Sequence, residues 1–166
     1  MSDSSAASEA VSDLFRSCYA RLVGVVALAS GSRTDAEECV QEAFLKAFDR
    51  WDRVSGLESP EAWVRTVALR LSSNRRRKAR NMVKALLRLG PPHEDPPPDT
   101  NRLDVVQALR GLPGGQRQVV VMYYLLGFDV DHIAQALGVA SGTVKSRLSR
   151  ARAVLGPLLR EESFHV

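Results

Sequence analysis

The sequence has few of the residue types on which most catalytic and metal sites depend. Its 166 residues include two cysteines and three histidines, all of them isolated from one another. Cys18 and Cys39 are too few and too widely spaced for a zinc knuckle, so we expect two buried thiols in a reducing compartment. The sequence has no glycine-rich phosphate loop and no nucleophile, base or metal-ligand spacing. It therefore predicts a protein that is not an enzyme and has no metal or cofactor.

Long apolar runs are also missing. The longest, Leu22 to Ala29, is interrupted by Gly24, and it is far shorter than the roughly 20 residues that span a bilayer. The N-terminus has no basic segment of the kind that opens a secretory signal. Apolar residues nevertheless make up 45% of the chain, which is enough for packed cores. We therefore expect a cytoplasmic protein with no membrane insertion.

Signals for β-structure are absent from the sequence, which has no alternating pattern and no Asn-Gly or Asp-Gly hairpin turn. Five of the eight prolines fall in Gly90–Thr100, a segment typical of an extended tether. The sequence therefore predicts an all-α fold of two small helical domains joined by a Pro-rich linker. The expected boundaries are 1–80 for the first domain, 81–101 for the linker, 102–160 for the second domain and 161–166 for the tail.

Charge is segregated along the chain. Residues 1–60 carry six cations against ten acids, whereas residues 61–90 carry nine cations against one acid. The overall net charge of +4 hides this division. Two partners of different chemistry are therefore expected, one for the acidic part and one for the basic part.

Two helices are predicted in the acidic part. The first is expected from near Ser8 to Ala29, and the second from Asp35 to Trp51 with Thr34 as its N-cap. The second helix has helical spacing of its apolar residues, which predicts a buried face of Val40, Ala43, Phe44, Ala47, Phe48 and Trp51. Its opposite face carries Leu45 among acids. This pattern is either a docking surface or a single exposed leucine of the ordinary kind.

A third helix is predicted to begin where Ser59 caps and Pro60 opens it, after a loop over Trp51–Ser59. Its first half has a predicted buried face of Trp63, Val67 and Leu71. Its second half holds five cations within the six residues 75–80. That basic run is either a solvated helix end or a nucleic-acid contact.

The segment Asp129–Arg152 has the pattern of a helix-turn-helix. Ala134 is small where another helix must come close, and Gly138 suits a sharp turn. The second helix is predicted to bury Val144, Leu148, Ala151 and Leu155. Its outward face then carries Lys145, Ser146, Ser149 and Arg150. This face fits a DNA groove, and Ser141 is placed to be the N-cap, beside which a phosphate would be favoured.

In content and order these segments resemble bacterial sigma factors of the extracytoplasmic-function type, group four of the sigma-seventy family, and they are similar to the actinobacterial sigma-E-like members. The resemblance to region two rests on DAEECVQEAFLKAFDRWD (35–52) and SPEAWVRTVALRLSSNRRRK (59–78). The resemblance to region four rests on LPGGQRQVVVMYYLLGFDVDHIAQALGVASGTVKSRLSRAR (112–152). It implies a sigma factor that binds core RNA polymerase, recognises the minus-ten and minus-thirty-five promoter elements and directs transcription initiation.

The resemblance also implies roles for individual residues. Docking on polymerase would use Glu38, Gln41, Glu42 and Leu45. Contacts to the minus-ten element, with a flipped base held in a loop pocket, would use Trp51, Asp52, Arg53, Arg70, Asn74, Arg75, Arg76 and Arg77. Contacts to the minus-thirty-five element would use Ser141, Thr143, Lys145, Ser146, Arg147, Ser149 and Arg150. Lys145 and Arg150 are expected to read guanine, and the chain departs from the family at Arg70, where asparagine is frequent.

The partners implied are core RNA polymerase and promoter DNA, with an anti-sigma factor as the usual external regulator in the family and with no small-molecule substrate. The alternative is a stand-alone helix-turn-helix regulator of the two-component response type. Its receiver domain would need alternating strands and helices, a pattern that residues 1–90 lack.

Overall fold

A computed structural model of the chain describes residues 2–86 and 105–162, and it places helices without strands in these residues. The N-terminal module consists of α1 (Ser2–Ser30), α2 (Arg33–Asp49), the short α3 (Trp51–Val54) and α4 (Pro60–Leu86). The C-terminal module consists of α5 (Val105–Arg110), α6 (Gly114–Val120), a π-helical turn (Val121–Leu125), α7 (Val130–Leu137) and α8 (Ser141–Glu162). The predicted all-α fold is confirmed, while the proline-rich segment 90–100 and residues 163–166 lie outside the described residues.

The turn between α1 and α2 follows from the residue after α1. Gly31 has φ +79°, and its N–H donates to the Ala27 carbonyl at 2.8 Å, an end to the helix that glycine makes without strain. Ser32 is extended, and its Oγ accepts the N–H of Asp35 at 3.2 Å. The predicted cap at Thr34 is therefore wrong, because α2 begins at Arg33, directly after a better-placed serine.

The buried face of α2 largely matches the prediction, since Val40, Ala43, Phe44 and Ala47 are all buried. Phe48 is an exception at 41% exposed, and Trp51 is half-buried in α3. Phe48 lines an open groove between α1 and α2, whose lining in the described residues comes from these two helices alone. The apolar spacing of α2 continues to Phe48 and Trp51. The buried core against which the helix packs ends earlier, at Ala47.

The predicted start of α4 is confirmed, because the Ser59 Oγ accepts the N–H of Ala62 at 3.1 Å and Pro60 is the first helical residue. The residues buried most deeply are Val64, Ala68 and Leu69, whereas the predicted set of Trp63, Val67 and Leu71 is half-buried. α4 packs on α1 and α2 with one side and on α6 and α7 with another. The prediction considered a single apolar face and so missed this division.

The basic half of α4 continues as helix to Leu86. Residues 81–86, which the sequence analysis assigned to the linker, are therefore helical. The chain has no glycine or proline between Pro60 and Gly90 that would end the helix earlier.

The helix-turn-helix is confirmed. Asp129 caps α7 by accepting the N–H of His132 at 2.7 Å, and Gly138 ends α7 with φ +66°. Val144, Leu148 and Ala151 of α8 are buried, as predicted. Ser141 is not the N-cap, because α8 already includes it. The carbonyl of the preceding Ala140 accepts the N–H groups of Thr143 and Val144 at 3.0 and 3.3 Å.

The two modules pack against each other in this structure. Gln118 is fully buried at the seam, where its Nε2 donates to the Leu69 carbonyl at 2.8 Å and its Oε1 accepts from Arg76 Nη2 at 2.8 Å. Arg117 donates to the carbonyls of Ala29 and Ser30 at 3.1 and 2.6 Å. Side chains of one module thus form hydrogen bonds to the backbone of the other across the seam.

Candidate functional site

The acidic face of α2 exposes Leu45 by 66% of its surface, the largest value among the exposed large apolar residues of the module's described part. Glu38 and Glu42 on the same face both bind Arg75 of α4, at 2.6 and 3.1 Å. These hydrogen bonds, led by that to Glu38, raise the pKa of Arg75 above its usual value. Two residues predicted to bind polymerase, Glu38 and Glu42, therefore form ion pairs with Arg75, which was predicted to contact the minus-ten element. These pairs neutralise part of the acidic charge within the module.

An apolar groove of about 650 Å³ lies beside this face, between α1 and α2. Its walls include Val11 and Phe15 of α1 and Leu45 and Phe48 of α2. The Gln41 amide lies at its edge and donates to the Tyr19 hydroxyl at 3.2 Å. Sequence reasoning placed Leu45 on this surface but missed Phe48, whose position in the apolar repeat indicated a core residue.

A small pocket of about 160 Å³ lies beneath α3 and the loop that follows it. Arg50, Arg53, Leu57 and Trp63 line it together with Val54. Of the residues predicted for this loop, Asp52 and Arg53 are exposed, while Trp51 is half-buried and is not part of the lining. The aromatic wall is Trp63, which the sequence pattern had assigned to the core.

Several arginines of α4 contact the second module. Arg70 donates through Nε to the Ala136 carbonyl at 2.8 Å and through Nη2 to the Gln135 carbonyl at 2.9 Å. Arg77 donates to the Leu137 carbonyl at 3.4 Å. These carbonyls belong to the last turn of α7. The carbonyl groups of a last turn have no donors within the helix, and they attract cations. Two predicted minus-ten contacts thus bind α7 here, whereas Asn74 is exposed.

A cluster of arginines lies next to these contacts. Burial, followed by repulsion from the cations of Arg147, Arg80, Arg117 and Arg77, lowers the pKa of Arg76 to about 10. The Nε and Nη1 of Arg76 are buried and have no hydrogen-bond partner among the described residues. Burial and the cations of Arg80 and Arg77 also lower the pKa of Arg147. The seam therefore contains an unfavourable concentration of like charge.

Two adjacent glycines make room for this cluster. A Cβ atom on Gly114 would lie 2.5 Å from Arg76 Cδ, and one on Gly115 would lie 3.2 Å from the Arg147 guanidinium. Both arginines therefore lie directly against the first turn of α6. Neither contact could be predicted from the sequence around the glycines, since the two arginines belong to α4 and α8.

The outward face of α8 is open. Lys145, Ser146, Ser149 and Arg150 are exposed, as predicted. Thr143 is half-buried, and its carbonyl accepts the Ser146 hydroxyl at 3.1 Å. Arg147 points instead toward the seam. Four of the predicted groove contacts thus share one accessible surface, and Ser141, Thr143 and Arg147 lie at its margin.

The C-terminal module also has an apolar groove, of about 330 Å³, that the sequence analysis did not identify. Val105, Leu109, Tyr124, Leu125 and Leu155 are among its lining residues. Tyr124 and Leu125 are more than half exposed, and the Tyr124 hydroxyl accepts from Arg152 Nε at 2.6 Å. The sequence did contain an indication of this groove in the run Tyr123–Leu126. Four consecutive apolar or aromatic residues cannot all face the core from one side of a helix, so some of them must be exposed.

The two cysteines are free and buried, as predicted. Burial is the main cause that raises the pKa of both the Cys18 and Cys39 thiols, which makes them unreactive. Among the side chains that the structure describes, within residues 4–86 and 105–157, histidines, cysteines and carboxylates form no group that could hold a metal ion. None of the helices in these residues is both long and apolar enough to cross a membrane.

Comparison with known families assigns a class to each module. Residues 14–82 match the family model of sigma-70 region 2, and residues 102–155 match that of sigma-70 region 4. The first range contains α2, α3 and most of α4, and the second contains the helix-turn-helix. A chain with these two regions in this order is a transcription initiation factor of the sigma-70 class.

Individual relatives narrow the class. The chain is 35% identical over 139 residues to the ECF RNA polymerase sigma factor SigL of Mycobacterium tuberculosis, covering 80% of this chain and 78% of the relative. It is 33% identical over 157 residues to SigM of the same species, covering 90% and 77%. A solved complex of the sigma factor RpoE with the anti-sigma factor NepR from Bartonella quintana matches with a TM-score of 0.61 and 25% identity, covering 90% of this chain and 96% of that one. The chain belongs to the extracytoplasmic-function sigma factors of the sigma-70 family.

Proposed function

We propose that this sigma factor binds core RNA polymerase through the acidic face of α2, contacts the minus-ten element through α4 and its preceding loop, and reads the minus-thirty-five element through α8. The observation that carries the proposal is the outward face of α8, which is exposed, cationic and rich in hydroxyl groups while Val144, Leu148 and Ala151 pack inward. Direct reading of bases in the major groove requires such a face.

The polymerase contact is proposed to centre on Leu45. Binding energy at interfaces is concentrated in a few apolar or aromatic anchors surrounded by polar residues. Leu45 and the neighbouring Phe48 provide such an anchor, and Glu38, Gln41 and Glu42 surround it. The ion pairs of Glu38 and Glu42 with Arg75 fix the acids in place.

The minus-ten contact is proposed to use the pocket beneath α3. A base taken out of a duplex is held by stacking and by cations near its backbone. Trp63 forms an aromatic wall, and Arg53 lies at the pocket. Arg70, Arg76 and Arg77 now contact the second module, so their use on DNA requires the modules to separate. Polymerase, by holding the modules at two distant sites, would favour that separation.

The minus-thirty-five contact is proposed to divide its residues by role. Lys145 and Arg150 read bases from the exposed face, with Ser146 and Ser149 between them. Ser141 and Thr143 lie at the margin and suit contacts with phosphates, which position a reading helix without specifying sequence. Arg147, which faces the seam in this structure, would be released for such a contact when the modules separate.

An anti-sigma factor is proposed as a further partner. RpoE, which this chain resembles over 90% of its length, is solved in complex with such a factor. Two apolar grooves, one on each module, offer surfaces of the kind that partner proteins bind. A protein that covered both would compete directly with polymerase.

We also infer that the protein acts in the cytoplasm, where transcription takes place, and that it contributes no catalytic group of its own. The polymerase would supply the chemistry of RNA synthesis. The buried, raised-pKa thiols of the chain support this inference, since neither is placed to act as a nucleophile.

Transcription by purified bacterial core RNA polymerase on a genomic DNA library tests the function. With the protein present, sequencing of the transcripts is expected to reveal discrete new starts whose upstream sequences align at two spaced elements. Absence of such starts, together with failure to bind core polymerase, would favour the stand-alone regulator.

Replacing Arg150 with alanine is expected to relax selectivity at the minus-thirty-five element by roughly 1 to 3 kcal/mol, because a bidentate contact with guanine discriminates by that amount. Competition between promoter variants in the same transcription assay measures it. Polymerase binding should be unchanged, and loss of that binding would show that Arg150 has been assigned to the wrong partner.

A further inference from the structure

A cavity of about 430 Å³ lies in the seam where α4 faces α7, and it shares Trp63 with the loop pocket. We call it the seam cavity. α4 contributes Trp63, Thr66 and Arg70 to its lining, and α7 contributes His132 and Gln135. Small-molecule sites are commonly cavities of this size at the boundary between packed domains.

Two aromatic rings, those of Trp63 and His132, are among the residues that line the seam cavity. Trp63 is half-buried, so the packing of α4 holds it while part of its surface remains accessible. The His132 ring on the other module is fixed by stacking on Phe128, with a centroid separation of 4.2 Å and an interplanar angle of 19°. Arg65 lies over the same Phe128 ring at 5.7 Å. Positioned π surfaces of this kind favour a flat aromatic ligand.

Two polar side chains that line the seam cavity indicate which further groups its ligand would carry. Arg70 uses Nε and Nη2 to bind the backbone of α7, and its Nη1 has no hydrogen bond to a described residue. The exposed amide of Gln135 is likewise without a partner among the described residues and can both donate and accept. A guanidinium suits a phosphate, and an amide suits the edge of a base.

We propose that the seam cavity binds a mononucleotide, with its base against Trp63, its base edge on Gln135 and its phosphates on Arg70. The site is complete only when the modules are packed together. A bound nucleotide would therefore stabilise this arrangement and withhold Arg70 from promoter DNA. The proposal rests on the packing of the modules and goes beyond the proposed role in promoter recognition.

Fluorescence provides a direct test. The sequence has two tryptophans, so Trp51→Phe leaves Trp63 as the reporter in the full chain. Titration with ATP, GTP, CTP and UTP, checked by calorimetry, is expected to quench Trp63 with a micromolar dissociation constant for at least one of them. Gln135→Ala should weaken that binding about tenfold, since it removes a hydrogen-bond partner of the base. Gln107→Ala, a matched change of an exposed glutamine on α5, should leave it unchanged.

Three outcomes would overturn the proposal. The first is the absence of both quenching and heat with all four nucleotides. The second is equal binding of inorganic tripolyphosphate, which has no base. The third is an equal response of Gln135→Ala and Gln107→Ala. A short single-stranded DNA serves as a separate arm, because its binding to α4 should not depend on Gln135. Failure of nucleotide binding would leave the transcription assay unaffected, so the two proposals can fail independently.

Discussion

Replacing Leu45 with arginine is expected to weaken binding to core RNA polymerase at least about 30-fold, or roughly 2 kcal/mol, the loss typical of an interface anchor. The side chain is 66% exposed and therefore supports little of the module's core. An arginine removes the apolar anchor and places a cation on a face whose exposed charge is acidic. A partner surface that complements acids would repel it. Competition between labelled parent protein and unlabelled variant for purified core polymerase measures the change.

Leu86→Arg is the matched control. Leu86 is also an exposed leucine of a helix in the same module, at 61%, but it lies at the far end of α4 and away from the acidic face. This variant should compete as well as the parent protein. Equal losses in the two variants would mean that any new cation disturbs the complex, and the acidic face would lose its assignment.

The spacing of apolar residues along one helix was sufficient to predict the surfaces that a single helix forms. The exposed face of α8 could be predicted because Val144 and Leu148 fix its rotation about the helix axis, and nothing else competes for that face. The same reasoning placed Leu45 outside. It failed at Phe48, since periodicity indicates which side of a helix is apolar but not how far the neighbouring helix extends to cover it.

The seam between the modules could not be predicted from local patterns. Gln118 has the character of a surface residue, yet it is fully buried because Leu69 and Arg76, far away in sequence, satisfy its amide. The arginines of α4 indicated a solvated run or a DNA contact. Their binding to α7 depends on carbonyls that are available only because Gly138 ends that helix. Both features depend on complementarity between segments that are distant in the sequence. Such complementarity produces no repeating pattern of apolar residues from which it could be predicted.

The seam itself is expected to open when Gln118 is replaced by leucine. The change removes both hydrogen bonds of the amide, including the one from Arg76 Nη2. Among the described residues the other two guanidinium nitrogens of Arg76 already lack partners. Loss of a buried hydrogen-bond partner costs about 1 to 3 kcal/mol. The neighbouring cations of Arg147 and Arg117 oppose the packed arrangement further. The equilibrium between packed and separated modules should therefore shift by roughly 5- to 150-fold.

Small-angle X-ray scattering of the free protein measures the opening as an increase in radius of gyration. Separation also releases Arg70, Arg76 and Arg77, so the affinity of the free chain for single-stranded DNA should rise with it. Gln116→Leu is the matched control on the same helix, because the Oε1 of Gln116 is buried and has no hydrogen-bond partner in the part of the chain that the structure describes. If Gln118→Leu left both the radius of gyration and the DNA affinity at the parent values, the hydrogen bonds of Gln118 would not be what holds these arginines away from DNA.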